Sequence, residues 1–261
     1  MPGRRPIPTL AIGFGAGLLN ALVGIGGGIL IVPGLVIVRK LNPRVAVATS
    51  LGSVLILSAF ALVVHLASAP FSLSAWGGVL LLLSGAAGSQ AGSVLLSRIG
   101  TRWILLGFAG LMILSALDLL AMGLHLLPAQ LIQAGEPELW VYAALGLMGG
   151  FFSGLLGVGG GGLVILGLSV IVHAPVLTGL PMAQAVNTFN SLSGVVAQWR
   201  AKLVIWREVF ALVPSGLVGV AIGQALALFL PADALRIIVA VFFLYMGASL
   251  ARRGWRMGQG G

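Results

Sequence analysis

Apolar residues in this chain gather into long runs, separated by short stretches that hold nearly all the charges and prolines. The runs are Leu10–Val38, Val45–Ala67, Leu73–Ser97, Trp103–Leu124, Leu139–Val172, Ala183–Trp199, Val209–Leu230 and Leu235–Ala251. Most are about 20 residues long, the length a helix needs to cross the hydrocarbon core of a bilayer. Asn42-Pro43, Ala69-Pro70, Leu127-Pro128, Glu136-Pro137, Leu180-Pro181 and Leu230-Pro231 mark the connections. No short alternating segments of the kind a barrel requires occur. The pattern predicts an all-α polytopic membrane protein.

Two runs differ from the others because glycines interrupt them. Gly24-Ile25-Gly26-Gly27-Gly28 breaks the first, and Gly157-Val158-Gly159-Gly160-Gly161-Gly162 breaks the fifth. Aligned on these breaks, Gly13 falls on Gly146, Gly17 on Gly150, Asn20 on Ser153 and Gly34 on Gly167. A second match sets Ala46-Val47-Ala48-Thr49-Ser50-Leu51 beside Ala185-Val186-Asn187-Thr188-Phe189-Asn190. A third sets Ser84-Gly85-x-x-Gly88-x-x-x-Gly92 beside Ser215-Gly216-x-x-Gly219-x-x-x-Gly223, spacing that suits a close-packed helix face. The chain is a duplicated unit. The first repeat is 1–126, with broken helix 10–38 and spans 45–67, 73–97 and 103–124. A linker at 127–138 follows. The second repeat is 139–252, with broken helix 139–172 and spans 183–199, 209–230 and 235–251, and a tail at 253–261 closes the chain.

Composition narrows the class further. The chain is 59% hydrophobic and only 7% charged, with a mean hydropathy of +1.14, which excludes an ordinary soluble domain. Its lack of cysteine removes disulfides, thiolate metal sites and cysteine nucleophiles together. The net charge of +9 is spread over single and paired basic residues at run ends. It therefore reads as a topology signal and not as a nucleic-acid surface.

That signal bears on the two broken runs. Arg4 and Arg5 precede the first, and Arg39, Lys40 and Arg44 follow it. Arg98 and Arg102 come next, then Arg200, Lys202 and Arg207, and finally Arg252, Arg253 and Arg256. If every run crosses the membrane, these clusters divide between the two sides, against the positive-inside bias. If each broken run is instead a re-entrant hairpin, all of them become cytoplasmic and the Glu136/Glu138 linker is external. The arms Leu10–Val23 and Ile29–Val38 would each rise roughly 15–20 Å, about half the hydrocarbon core. Each repeat then contains a Gly-rich re-entrant helix pair plus three transmembrane helices. An odd number of crossings inverts the two repeats, an arrangement used by transporters. Both termini would be cytoplasmic.

Glycines inside lipid expose backbone, which is tolerable only where protein or a water-filled cavity satisfies it. The second arm of each hairpin would begin near Gly27 or Gly160, with unpaired amides and the positive end of the helix dipole. Two such ends facing each other form an anion site without a buried Arg or Lys. Tight packing is the competing use of the same glycines. The candidate substrate-binding residues are Asn20, Gly26, Gly27, Gly28, Thr49 and Ser50, and from the second repeat Ser153, Gly159, Gly160, Gly161, Asn187, Thr188 and Asn190. Hydroxyl and amide donors suit an oxyanion that must be released again. Asp118, an acid within an apolar run, is a candidate for proton coupling or an interfacial side chain. His65, His125 and His173 have no metal-ligand spacing, and no catalytic constellation can be assembled, so neither metal, cofactor nor enzyme activity is expected. The expected partners are a small anion and lipid, with further copies of the chain left open.

Gly13-x-x-x-Gly17 leading into Gly24-Ile25-Gly26-Gly27-Gly28-Ile29-Leu30-Ile31-Val32-Pro33, followed by Ala48-Thr49-Ser50-Leu51, resembles the TauE/SafE family of sulfite and organosulfonate permeases. Gly157-Val158-Gly159-Gly160-Gly161 with Asn187-Thr188 is similar to that family's second repeat. Leu166 in place of Pro33, and Phe189-Asn190 in place of Ser50-Leu51, depart from internal symmetry. The resemblance implies movement of sulfite, thiosulfate or an organosulfonate across a bacterial inner membrane. It implies a secondary transporter; a passive anion channel and a non-transporting scaffold are the other readings.

Overall fold

The computed structural model describes residues 6–68, 75–124, 139–167, 176–227 and 232–256. All regular structure among them is helical. In the first half, α1 is Pro6–Val23, α2 Gly28–Ile37, α3 Pro43–Ser68, α4 Ala75–Arg98 and α5 Thr101–Gly123. In the second, α6 is Leu139–Leu156, α7 Gly161–Gly167, α8 Val176–Arg200, α9 Trp206–Ala227 and α10 Ala232–Arg256. Five of these helices are long and apolar enough to cross a membrane: α3, α4, α5, α6 and α9. Arg4, Arg5, His125, Glu136, Glu138 and His173, and the side chains of Asp118, Asp233 and Arg236, lie outside the described residues.

Two boundaries differ from expectation. Leu180-Pro181 lies inside α8, not in a loop. Pro181 is the sixth residue of the helix, so the N–H it lacks removes one intrahelical hydrogen bond, and α8 runs through it all the same. The helix before the first break is also longer than the expected Leu10–Val23. Both α1 and α6 have 18 residues, about 27 Å at 1.5 Å per residue. α1 gains its extra turn through Pro6 and Pro8, which a first helical turn accepts. At α3 the sequence signal holds: Asn42 caps the helix, its Oδ1 accepting from the Arg44 N–H at 3.0 Å, and Pro43 takes the first helical position.

Partner choice is crossed between the halves. α1 packs along α9 and α6 along α4, while α3 packs on α8 and α5 on α10. The first two contacts are backbone against backbone. A Cβ at Gly13 would strike the Leu212 carbonyl, at Gly17 the Gly216 carbonyl, and at Gly219 the Phe14 carbonyl. On the other pair, Gly146 meets Leu81, Gly150 meets Gly85 and Gly154 meets Ser89. The Ser-Gly-x-x-Gly-x-x-x-Gly faces of α4 and α9 are therefore the surfaces against which α6 and α1 are seated. Where lipid supplies no hydrophobic drive between helices, such close approach supplies the attraction.

These contacts also give direction. Rising residue numbers on α1 meet rising numbers on α9, so the two helices run the same way, as do α6 and α4. Arg39, just past α2, forms an ion pair with Glu208 in the first turn of α9. α2 therefore finishes at the end of the bundle where α9, and with it α1, begins. Arg44 donates to the Ile99 carbonyl through Nε (3.2 Å) and Nη2 (2.5 Å), bringing in the Arg98–Arg102 turn. Gly254 lies against Leu106 and the Arg102 carbonyl, which adds the end of α10. The basic clusters on these segments thus gather at one end, with Trp103, Trp199 and Trp255 exposed there. Trp76 and Trp140 are exposed at the starts of α4 and α6, at the opposite end. Tryptophans ringing both ends of an apolar bundle match the two membrane interfaces.

The Arg39–Glu208 pair is partly buried, with side chains 27% and 13% exposed. Glu208→Gln should lower stability by about 1 kcal/mol, read as a melting shift in detergent. Combined with Arg39→Ala it should lose less than the two single effects added. Strict additivity would mean that the pair contributes no coupling.

Candidate functional site

Both breaks are built alike. α1 stops where Gly24, at φ 70°, turns left-handed and its N–H bonds the Asn20 carbonyl at 3.0 Å. α6 stops the same way at Gly157, φ 72°, whose N–H bonds the Ser153 carbonyl at 2.7 Å. Only glycine takes these angles without strain. Gly26, Gly159 and Gly160 are left-handed as well, so the second break carries one more such residue than the first. The two tips press on each other. Gly26 and Gly28 have no room for a Cβ against the Gly157–Val158 backbone, and Gly162 lies against Ile25.

Helices α3 and α8 flank the tips and supply the polar side chains. The Asn187 Nδ2 donates to the Gly24 carbonyl at 3.1 Å, while its Oδ1 accepts from the Gly161 N–H at 2.6 Å. One carboxamide thus ties the end of the first break to the head of α7. Ser50 Oγ donates to the Gly157 carbonyl at 2.9 Å, the counterpart of the Asn187–Gly24 bond. Asn190 Nδ2 donates to the Gly159 carbonyl at 3.2 Å. Asn20 is held at its carbonyl by Gln184 Nε2 at 2.9 Å and donates through Nδ2 to Ser58 Oγ at 3.3 Å. Asn20, Ser50, Gln184, Asn187 and Asn190 are fully buried. No carboxylate, Lys or Arg takes part in these bonds, so the cluster is neutral.

The fold therefore gathers Asn20, Gly26, Gly27, Gly28, Ser50, Gly159, Gly160, Gly161, Asn187 and Asn190 around the two tips. Ser153 lies buried one turn before Gly157, and its hydroxyl has no partner. Two candidates stand apart. Thr49 Oγ1 accepts from the Ile205 N–H at 3.1 Å, joining α3 to the segment before α9. Thr188 donates to the Gln184 carbonyl of its own helix at 2.7 Å and is only partly buried. The bare amide expected at the second tip is also not bare: the Asn187 carboxamide occupies the Gly161 N–H. At the head of α2, Gly27 has no side-chain cap. Gln184 and Ser58 escaped the sequence reading. Gln184 lies one turn before Asn187 on the same helical stripe, and that spacing was the available signal. Among the described residues, no group of three or more His, Asp or Glu side chains could hold a metal ion.

Residues 142–260 match the family described as Sulfite exporter TauE/SafE. The probable membrane transporter protein YunE of Bacillus subtilis is 24% identical over 94% of this chain and 97% of its own length. The probable membrane transporter protein YdhB of the same organism is 33% identical over 35% of this chain and 37% of its own. No solved structure matches. The second half of the chain is thus similar to the TauE/SafE family and nearly its whole length to a probable membrane transporter, and its long apolar helices mark it as a multi-pass membrane protein.

Proposed function

We propose that the protein is a secondary transporter that moves a small sulfur-containing anion, such as sulfite, thiosulfate or an organosulfonate, by alternating access around the two glycine breaks. The observation that carries this reading is the meeting of the breaks, tip on tip, inside a neutral shell of amide and hydroxyl groups. Neutral donors can hold an oxyanion and still let it go. The repeats are read as inverted in a bacterial inner membrane, with the basic end and both termini cytoplasmic. The crossed, direction-matched pairing of α1 with α9 and α6 with α4 supports inversion. So does the return of α2 to the end where α9 starts.

The same pairing suggests what moves. α1 and α9 interlock through backbone, as do α4 and α6, so each pair travels as a rigid body. Between the bodies lie the packed glycine tips and the side-chain hydrogen bonds to them, among them those of Ser50 and Asn187. Rocking one pair against the other would break these bonds and expose the site to one side at a time.

Reconstituted protein should take up sulfite, thiosulfate or a small sulfonate with saturation, and should exchange internal for external anion. An ohmic current without counter-flow would replace the transporter by a channel. No flux of any of these anions would leave a scaffold.

A further inference from the structure

The repeat is symmetric in its backbone and unsymmetric in one polar seam. From Asn190 to the basic end of the bundle, α8 faces α4 through hydroxyls and carboxamides. Ser89 Oγ donates to the Asn190 carbonyl at 2.6 Å, and Ser193 Oγ to the Ala86 carbonyl at 2.7 Å. Gln90 Nε2 donates to the Ser193 carbonyl at 2.8 Å, and Gln198 Nε2 to the Ser93 carbonyl at 3.0 Å. These bonds recur about every helical turn, and they start at the tip residue Asn190.

The seam holds more polar capacity than it uses. Asn190 Oδ1, Ser93 Oγ and Gln198 Oε1 are buried without a partner, as is Ser191 Oγ on the same helix. The two amide oxygens cannot be relieved by turning the amide over. Each amide nitrogen faces a backbone carbonyl, which only accepts, so its oxygen must point elsewhere. Buried polar atoms left unpaired are costly and call for an explanation. Beside the tips, the matched seam between α3 and α9 lacks this character. Val220 stands where α4 has Ser89, and Leu57, which packs on Gly216 as Asn190 packs on Gly85, stands where α8 has Asn190. His65 and Gln224, the counterparts of Gln198 and Ser93 farther from the tips, are the exceptions, and His65 Nε2 and Gln224 Oε1 are also unpartnered.

We infer that the α4–α8 seam is the route by which water and the transported solute reach the glycine tips from the basic end of the bundle, while the matched α3–α9 seam is closed beside the tips by apolar side chains such as Leu57 and Val220. The unpaired oxygens are then satisfied when the seam parts and water enters. Its hydrogen bonds are single side-chain contacts, easier to open than the glycine-to-backbone contacts that lock α4 to α6. This inference deepens the transporter reading and rests on it.

The absence of native cysteine makes the test direct. Single variants Ser89→Cys, Ser93→Cys and Gln198→Cys are compared with Val220→Cys and with Lys202→Cys, an exposed position past the end of α8 that shows the reagent has arrived. Each is exposed in membrane vesicles of both orientations to a membrane-impermeant, sulfonate-bearing methanethiosulfonate reagent. The α4–α8 positions should react only when the Lys202 face is exposed, at least about tenfold faster than Val220→Cys, as a gap of one decade in opening equilibrium requires. Equal rates on the two seams, or an unreactive α4–α8 seam beside a reactive Lys202→Cys, would overturn the route. Labelling needs no flux, so absent anion uptake in the parent protein would sink the transporter reading while leaving this readout standing.

Discussion

Asn187→Ala should destabilise the protein by about 2–6 kcal/mol, because it leaves two buried backbone groups, the Gly24 carbonyl and the Gly161 N–H, without partners at about 1–3 kcal/mol each. Ser50→Ala should cost about half as much, since it leaves only the Gly157 carbonyl unpaired. Asn187→Asp should cost more than Ser50→Ala. It keeps an acceptor for Gly161 but offers no donor to Gly24 and brings a charge into a fully buried site. Melting in detergent reads the order directly. An Asn187→Ala variant that melts with the parent would show that the breaks hold together without this clasp.

The second large effect belongs to the helix pairs. A Cβ on Gly150 would overlap the Gly85 carbonyl. Backbone cannot rotate aside as a side chain does, so Gly150→Ala must push α6 off α4. The expected loss is about 3 kcal/mol, the upper part of the overpacking range, with the monodisperse fraction falling in size-exclusion chromatography. Gly110 is the control: a Cβ there meets nothing within 4 Å. Gly110→Ala should be neutral or stabilising by up to about 1 kcal/mol through helix propensity. If both variants behave alike, close approach does not hold α4 and α6 together. The same geometry makes Gly160→Val unsuitable for probing transport. Gly160 is left-handed at φ 88° and crowded by the Gly149 carbonyl, so its loss would disturb folding as well as any site. Gly27 is right-handed, with φ −59°. Its nearest neighbours, the Ala16 carbonyl and Cβ, lie about 2.9–3.0 Å from a built Cβ, so Gly27→Ala is the milder probe.

Much of the architecture could be read before any coordinates, for reasons that lie in the solvent. Lipid forbids unpaired backbone, so spans must be long apolar helices, and Pro43–Ser68 or Thr101–Gly123 stand out without help. Positive-φ turns inside such runs require glycine, so the breaks at Gly24 and Gly157 were visible as glycine clusters. The repeat showed because the same turns had to be made twice. Less legible were the helix limits. Leu180-Pro181 reads as a loop because proline costs a helix one hydrogen bond, and only tertiary contacts decide whether the helix continues through it.

What the linear pattern could establish here is a solvent class, a duplication and the places where the backbone must turn, since each follows from local chemistry repeated along the chain. Which helix lies against which required three dimensions: spans that are apolar nearly all round carry no preferred face, and seating α1 on α9 depends on carbonyls meeting glycines far apart in sequence. The same holds for Asn187, a polar residue among several on α8 until folding sets its two ends against Gly24 and Gly161. A hydrogen bond is directional and short, so its partner is chosen by position in space and not by spacing along the chain.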